Sequence, residues 1–87
     1  MSALRKAADR FSETVIDDEI VVMQLDSGVF FSLRDSARRI WELLDGTRDH
    51  PALLAELTRE FGGNPAEIIA EADTFLAQLG DAGLLEP

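Results

Sequence analysis

The chain has 87 residues, of which 46% are apolar and 29% charged, and it contains no cysteine. That length fits one domain spanning residues 1–87. A domain of that size buries only about 60–65% of the surface its unfolded chain exposes and leaves little room for a deep catalytic cleft. Without cysteine, a disulfide framework, a thiol nucleophile and thiolate metal sites are excluded.

Seventeen acidic residues face eight basic ones, for a net charge of −9. Such a surface repels phosphate backbones and anionic lipid. It serves solubility, or attraction to a basic partner or peptide. No apolar run approaches the roughly 18 residues of a membrane-spanning helix. The opening stretch MSALRKAADRF lacks the apolar core of a signal peptide. The expectation is a cytoplasmic protein with no membrane partner.

Before Asp35 the pattern favours strands. Ala3 to Asp9 reads as a helical turn or a lead-in. Phe11–Ile16 is short and partly alternating, and Asp17-Asp18 reads as a turn. Glu19–Leu25 is rich in β-branched residues and too short for a helix. Asp26-Ser27-Gly28 forms a hairpin loop in which Gly28 is free to take positive φ. Val29–Leu33 is the return strand. Alternation sets Val29, Phe31 and Leu33 on one face and Phe30 and Ser32 on the other. Together these segments predict an antiparallel meander over about residues 11–33.

After Asp35 the period changes to that of a helix, and three helices follow over about 35–80. Asp35 is the expected N-cap of the first. Ala37, Ile40, Trp41 and Leu44 form its apolar stripe, and Gly46 stops it. The second starts near Asp49 or His50 with Pro51 in its first turn, and buries Leu53, Leu54, Leu57 and Phe61 until Gly62-Gly63. The third is capped by Asn64, with Pro65 first and Glu67 completing a capping-box-like start, and runs to about Leu79. Leu84-Leu85 read as a tail folded onto the core. The fold class is α+β: a three-stranded antiparallel sheet, then three helices, winged helix-turn-helix-like.

On the third helix Ile68, Ala72, Phe75 and Leu79 make one apolar row, and Ile69 and Leu76 make a second with Asp73 between them. Periodicity leaves two readings of the second row: core, or the wall of a groove. The third strand is equally open. If it is an edge, Val29–Leu33 lacks the charge, proline or bulge that guards natural edges, and an extended peptide can add to it. If it is central, or covered by the tail, it needs no partner.

Catalytic chemistry has few carriers. The single histidine, His50, stands before a proline at a helix start and reads as solvated. Glu67, Glu71 and Asp73 read as a solvated helix face. Ser27, Ser32 and Ser36 have no histidine partner that the sequence places beside them, and there is no phosphate-binding glycine loop. No enzyme activity, metal or cofactor is expected. A winged-helix DNA-binding regulator is the rival suggested by the architecture. However, Phe61 to Pro87 contains no Lys, Arg or His for a recognition helix. Arg38 suits an ion pair with Glu42 instead. A subunit that binds a folded enzyme and no peptide is a further alternative.

The run from Gly28 to Gly46, with Phe30-Phe31, Leu33, Ala37 and then Ile40-Trp41-Glu42-Leu43-Leu44-Asp45-Gly46, resembles the PqqD-like family. Leu53-Leu54, Leu57, Phe61, Phe75-Leu76 and Gly83-Leu84-Leu85 extend the likeness over nearly the whole chain from about residue 12, the segment Trp41 to Gly46 being its most specific part. The resemblance implies a recognition domain for ribosomally made, post-translationally modified peptides, in which the leader of the precursor pairs with the third strand and touches the third helix. By position, Val29, Phe30, Phe31, Ser32 and Leu33 supply the edge, and Ile69, Asp73 and Leu76 the helix wall. Trp41, Ile40 and Leu44 are core. Implied partners are the leader peptide and a modifying enzyme or leader protease. The expected protein is a monomer or weak dimer. The arginine-rich opening and mid-strand tryptophan of proteins in pyrroloquinoline quinone synthesis, which present their precursor to a radical SAM enzyme, are not apparent. The chain is more similar to stand-alone domains of lasso-peptide synthesis, which serve a leader protease and cyclase.

Overall fold

The computed structural model describes residues 3–86. A 3-10 turn at Ala8–Arg10 leads into β1 (Phe11–Ile16), β2 (Glu19–Gln24) and β3 (Phe30–Leu33), followed by α1 (Asp35–Leu43), α2 (His50–Glu60) and α3 (Pro65–Asp81). The strands pair antiparallel in the order β1-β2-β3, so β2 is central and β3 is an edge. The register places Met23 opposite Phe30, Val22 opposite Phe31 and Ile20 opposite Leu33.

Side-chain alternation decides which face of the sheet is buried. Ile20, Val22 and Leu33 point inward with Gln24, and all are buried. Phe31 packs partly against the same core. The helices contribute Ile40, Trp41, Leu43, Leu44, Leu53, Leu57, Ala72, Leu76 and Leu79, and the tail contributes Leu84. Trp41 is fully buried. Its Nε1 donates to Glu13 Oε1 at 3.2 Å, and Phe11 meets its ring edge-on at 5.0 Å.

Several boundaries differ from the pattern-based expectation. The first helix has Arg34, not Asp35, at its N-cap, without a side-chain bond. Asp35 lies inside the first turn with φ +53°, so its carboxylate does not cap. β3 starts at Phe30 and Leu25 falls in the turn, because the hairpin closes one residue further in on each side. α3 continues through Gly80 to Asp81; nothing forces that glycine out of helical geometry, and the left-handed residue that follows the helix is Gly83. The caps expected for the other two helices are present: Asp49 Oδ1 accepts from Ala52 N at 3.0 Å and Asn64 Oδ1 from Ala66 N at 2.9 Å. Arg38 pairs with Glu42 at 3.4 Å as its spacing implied.

The tail does not cover β3. Leu85 forms a bridge with Lys6, and Arg5 one with Asp45. Thus the lead-in and the tail pair with each other and with the α1–α2 connection.

Candidate functional site

The hairpin before β3 is held from inside. Gln24, the buried polar residue of the sheet, accepts from Ser27 N through Oε1 at 2.8 Å. Gly28, with φ +76°, closes the loop by donating to Gln24 O at 2.9 Å. Gln24 N donates to Val29 O at 2.8 Å. In an antiparallel ladder the bonded pairs alternate. From Gln24 with Val29, the next bonded pairs are Val22 with Phe31 and Ile20 with Leu33. The N–H and C=O groups of Phe30 and Ser32 therefore point away from β2, toward the open side.

The sheet has two edges, and they differ. β1 carries Glu13 pointing inward to Trp41, a guard against strand addition. β3 reads Phe-Phe-Ser-Leu, with no charge or proline. Its Phe30 is 67% exposed. Val29 is exposed as well, but its carbonyl is already tied to Gln24. Ser32 Oγ donates to Glu19 Oε2, which also accepts from Arg34 Nε at 3.2 Å. These bonds hold the Glu19 carboxyl below its ordinary value, with the Ser32 hydroxyl as the main cause.

Directly after β3 comes α1, which packs against both β3 and α3 and so bridges the strand and the third helix. Between α1, the end of α2 and α3 lies a cavity of about 300 Å³, lined by Ala37, Ile40, Phe61, Ile68, Ala72 and Phe75, with Ser36 and Glu71 beside them. Ser36 and Ala37 lie in the first turn of α1, next to the end of β3. Small side chains line it from both helices, Ala37 from α1 and Ala72 from α3.

The third-helix residues singled out by sequence lie elsewhere on that helix. Ile69, Asp73 and Leu76 are turned roughly 100° from the row Ile68–Ala72–Phe75, at about 100° per residue. Leu76 is 8% exposed and belongs to the core. Asp73 faces the start of α2, where its Oδ1 lies 2.7 Å from His50 Nε2; His50 is thus paired and not simply solvated. Ile69 is half-buried. None of the three lines the cavity. The sequence reading missed Ala37, Ile68 and Phe75 as lining residues. The available signal was a pair of alanines on two facing apolar stripes.

Among the described residues there is no group of His, Asp and Glu able to hold a metal ion, and no helix is long and apolar enough to cross a membrane.

A winged-helix-like α+β unit with one unguarded strand edge beside an apolar cavity is the class that fold and site define. The chain belongs to the PqqD family: the family described as "Coenzyme PQQ synthesis protein D (PqqD)" matches residues 19–85. Among solved structures, "TbiB1 in Complex with the TbiA(beta) Leader Peptide" is 28% identical, with a TM-score of 0.77 over 90% of this chain and 91% of that one. "Lasso peptide synthetase B1 complexed with the leader peptide" is 20% identical, with a TM-score of 0.79 over 98% and 99%, and shares the fold. No match was found among curated proteins.

Proposed function

We propose that this chain binds the leader of a ribosomally made precursor peptide as a fourth strand on β3 and delivers it to a modifying enzyme, without catalysing a step itself. The carrying observation is the unguarded edge on which Phe30 and Ser32 offer free backbone groups beside the cavity between α1 and α3. Membership of the PqqD family supports the reading, as does the leader peptide bound to TbiB1 in a related structure. The lasso-peptide setting, with a leader protease and cyclase as the recipients, is preferred on the residue pattern of Gly28 to Gly46, and one structure of the same fold is that of a lasso peptide synthetase B1 with the leader peptide. Presentation to a radical SAM enzyme is the second setting, consistent with the family description.

Residues 1–87 act as one recognition unit in the cytoplasm. Val29–Leu33 form the edge. On the third helix the contact surface includes Ile68 and Phe75, with Ile69 and Asp73 at its flank, and Leu76 supports it from the core. Main-chain pairing supplies a sequence-tolerant share of affinity, and an apolar leader side chain in the cavity supplies selectivity. A micromolar to nanomolar complex corresponds to about 8–12 kcal/mol. One buried anchor contributes about 1.5–3 kcal/mol before ordering costs.

Titration with the leader encoded beside this chain tests the proposal. One peptide per domain should bind. Ser32→Pro should abolish binding while the domain stays folded, because that N–H faces away from the ladder and an edge tolerates proline there. Binding by Ser32→Pro at wild-type affinity would contradict strand addition.

A further inference from the structure

The open edge of β3 is complementary to itself. The N–H and C=O groups of Phe30 and Ser32 point outward, and among the described residues no strand pairs with them. In an antiparallel ladder, residues whose groups point toward the neighbour pair with one another. Two copies of the edge related by a two-fold axis do this when Phe30 of each meets Ser32 of the other. That register sets Phe31 opposite Phe31 on the axis. Each Phe30–Ser32 pair then exchanges both of its backbone bonds. The same register keeps side chains on matching faces. Phe30 lies beside Ser32 on the outer face. On the inner face Val29, 55% exposed, lies opposite Leu33 of the second copy, and the two Phe31 rings form a cross-strand aromatic pair.

Charge along the edge does not oppose this contact. Phe30–Leu33 carries none. Arg34 follows it and is paired with Glu19 at 3.2 Å. The antiparallel register sends the two Arg34–Glu19 pairs to opposite ends of the contact, so no like charges meet on the axis. The assembly also closes. A sheet with both edges open builds a chain of copies, but β1 is guarded by Glu13. Pairing through β3 alone ends at two copies. Size limits its strength: a four-residue strand buries less than the roughly 800 Å² per partner of a standard interface. Each copy also carries a net charge of −9. The expected dissociation constant lies between about 10 μM and 1 mM.

We infer that two copies of this chain pair through β3 as a weak two-fold dimer with one continuous sheet, and that the precursor leader dissociates it. The competition with leader rests on the leader-binding reading above. Dimer and complex use the same backbone groups of Phe30 and Ser32, so each excludes the other. Self-pairing gives the empty domain a reversible cover for an edge that otherwise templates aggregation. A stray extended peptide must displace a second copy before it can pair. Dilute free protein, below the dissociation constant, is a monomer whose edge is open. Concentrated free protein takes the leader with an apparent affinity reduced by the dimerised fraction.

The test is sedimentation of the full chain over about 10 μM to 1 mM, without and with the leader encoded beside it. The free chain should pass reversibly from monomer to dimer. Saturating leader should leave one-to-one complexes at every concentration. Added salt should strengthen the dimer, because it screens the repulsion between two acidic copies. The chain has no cysteine, so single-cysteine variants report the register. In Phe31→Cys the substituted positions face each other on the axis at roughly 4.5 Å between Cα atoms, within disulfide range. Oxidation with diamide should cross-link this variant, and leader should slow the reaction at least tenfold. Phe30→Cys and Met23→Cys should cross-link at least tenfold more slowly. Wild-type sedimentation carries the test if Phe31→Cys does not fold. A chain that stays monomeric to about 1 mM, or a dimer that cross-links through Met23→Cys, overturns the self-pairing and leaves leader binding intact. A dimer that persists with leader bound overturns the shared edge. Failure of the wild type to bind leader overturns the leader-binding reading and the competition with it, while a dimer cross-linked through Phe31→Cys upholds the self-pairing.

Discussion

Leu76, Glu60 and Asp35 show how one residue's surroundings decide its part. Leu76 shares a core with Trp41, Leu53 and Leu79, so truncation removes packed apolar volume. Leu76→Ala should cost about 2–5 kcal/mol, visible as a lower denaturant midpoint, and Leu76→Asp should unfold the domain. A folded Leu76→Asp that loses only peptide affinity would return the residue to the groove. Glu60 accepts from Arg39 Nε at 2.6 Å and Nη2 at 2.7 Å. The Arg39 guanidinium draws the Glu60 carboxyl down from 4.5 to about 2. A carboxylate with a depressed folded pKa binds protons more readily when unfolded, so its contribution is present above about pH 4.5 and is lost as pH falls toward 2. Glu60→Gln should therefore flatten the fall of thermal midpoint with pH across that window; an unchanged slope would contradict the pairing. Asp35 holds φ +53° at the junction of β3 and α1. A β-branched residue there is strained by about 1–2 kcal/mol, so Asp35→Val should lower stability where Asp35→Gly does not.

At the scale of elements, the junction between β3 and α1 does most to form the site. It sets an edge strand, a helix start and a cavity within a few residues. Filling the cavity separates its role from that of the edge. Ala37→Phe should occupy much of the roughly 300 Å³ and weaken leader binding about tenfold or more, with far-UV circular dichroism unchanged. Unaltered affinity would remove the cavity from the recognition surface. The strand segments and helices were legible in sequence because alternation, helical periodicity and cap chemistry agreed with one another. Asn64-Pro65 and Asp49 mark their helix starts correctly for that reason. The first helix start was misread because an Asp beside a helix suits a cap by type. Its actual backbone conformation depends on the turn out of β3, which propensity does not encode.

For the whole molecule, the α+β architecture and Trp41 at its centre followed from local pattern. The edge position of β3 did not, since it depends on where Leu84-Leu85 and the lead-in go. They pair through Lys6 and Leu85 and leave the edge open. The face of α3 toward the cavity was likewise hidden. Two apolar rows on one helix carry equal periodic signal, and the choice between them is made by how α3 packs on α1 and α2 together. Among the described residues the family match and the open edge point the same way. The resemblance drawn from Gly28 to Gly46 points to a strand that lies at the sheet edge and to a helix row one step around from the residues that line the cavity.

Amide hydrogen exchange of the domain with and without the leader tests strand addition on β3 most directly. In the free protein the amides of Phe31 and Leu33, bonded to β2 by the ladder's alternation, should be protected, and those of Phe30 and Ser32 should exchange quickly. Saturating leader should slow Phe30 and Ser32 specifically, by at least tenfold, and leave the β1 edge unchanged. Protection that appears along β1, or only among the helices while Phe30 and Ser32 still exchange quickly, would contradict the account.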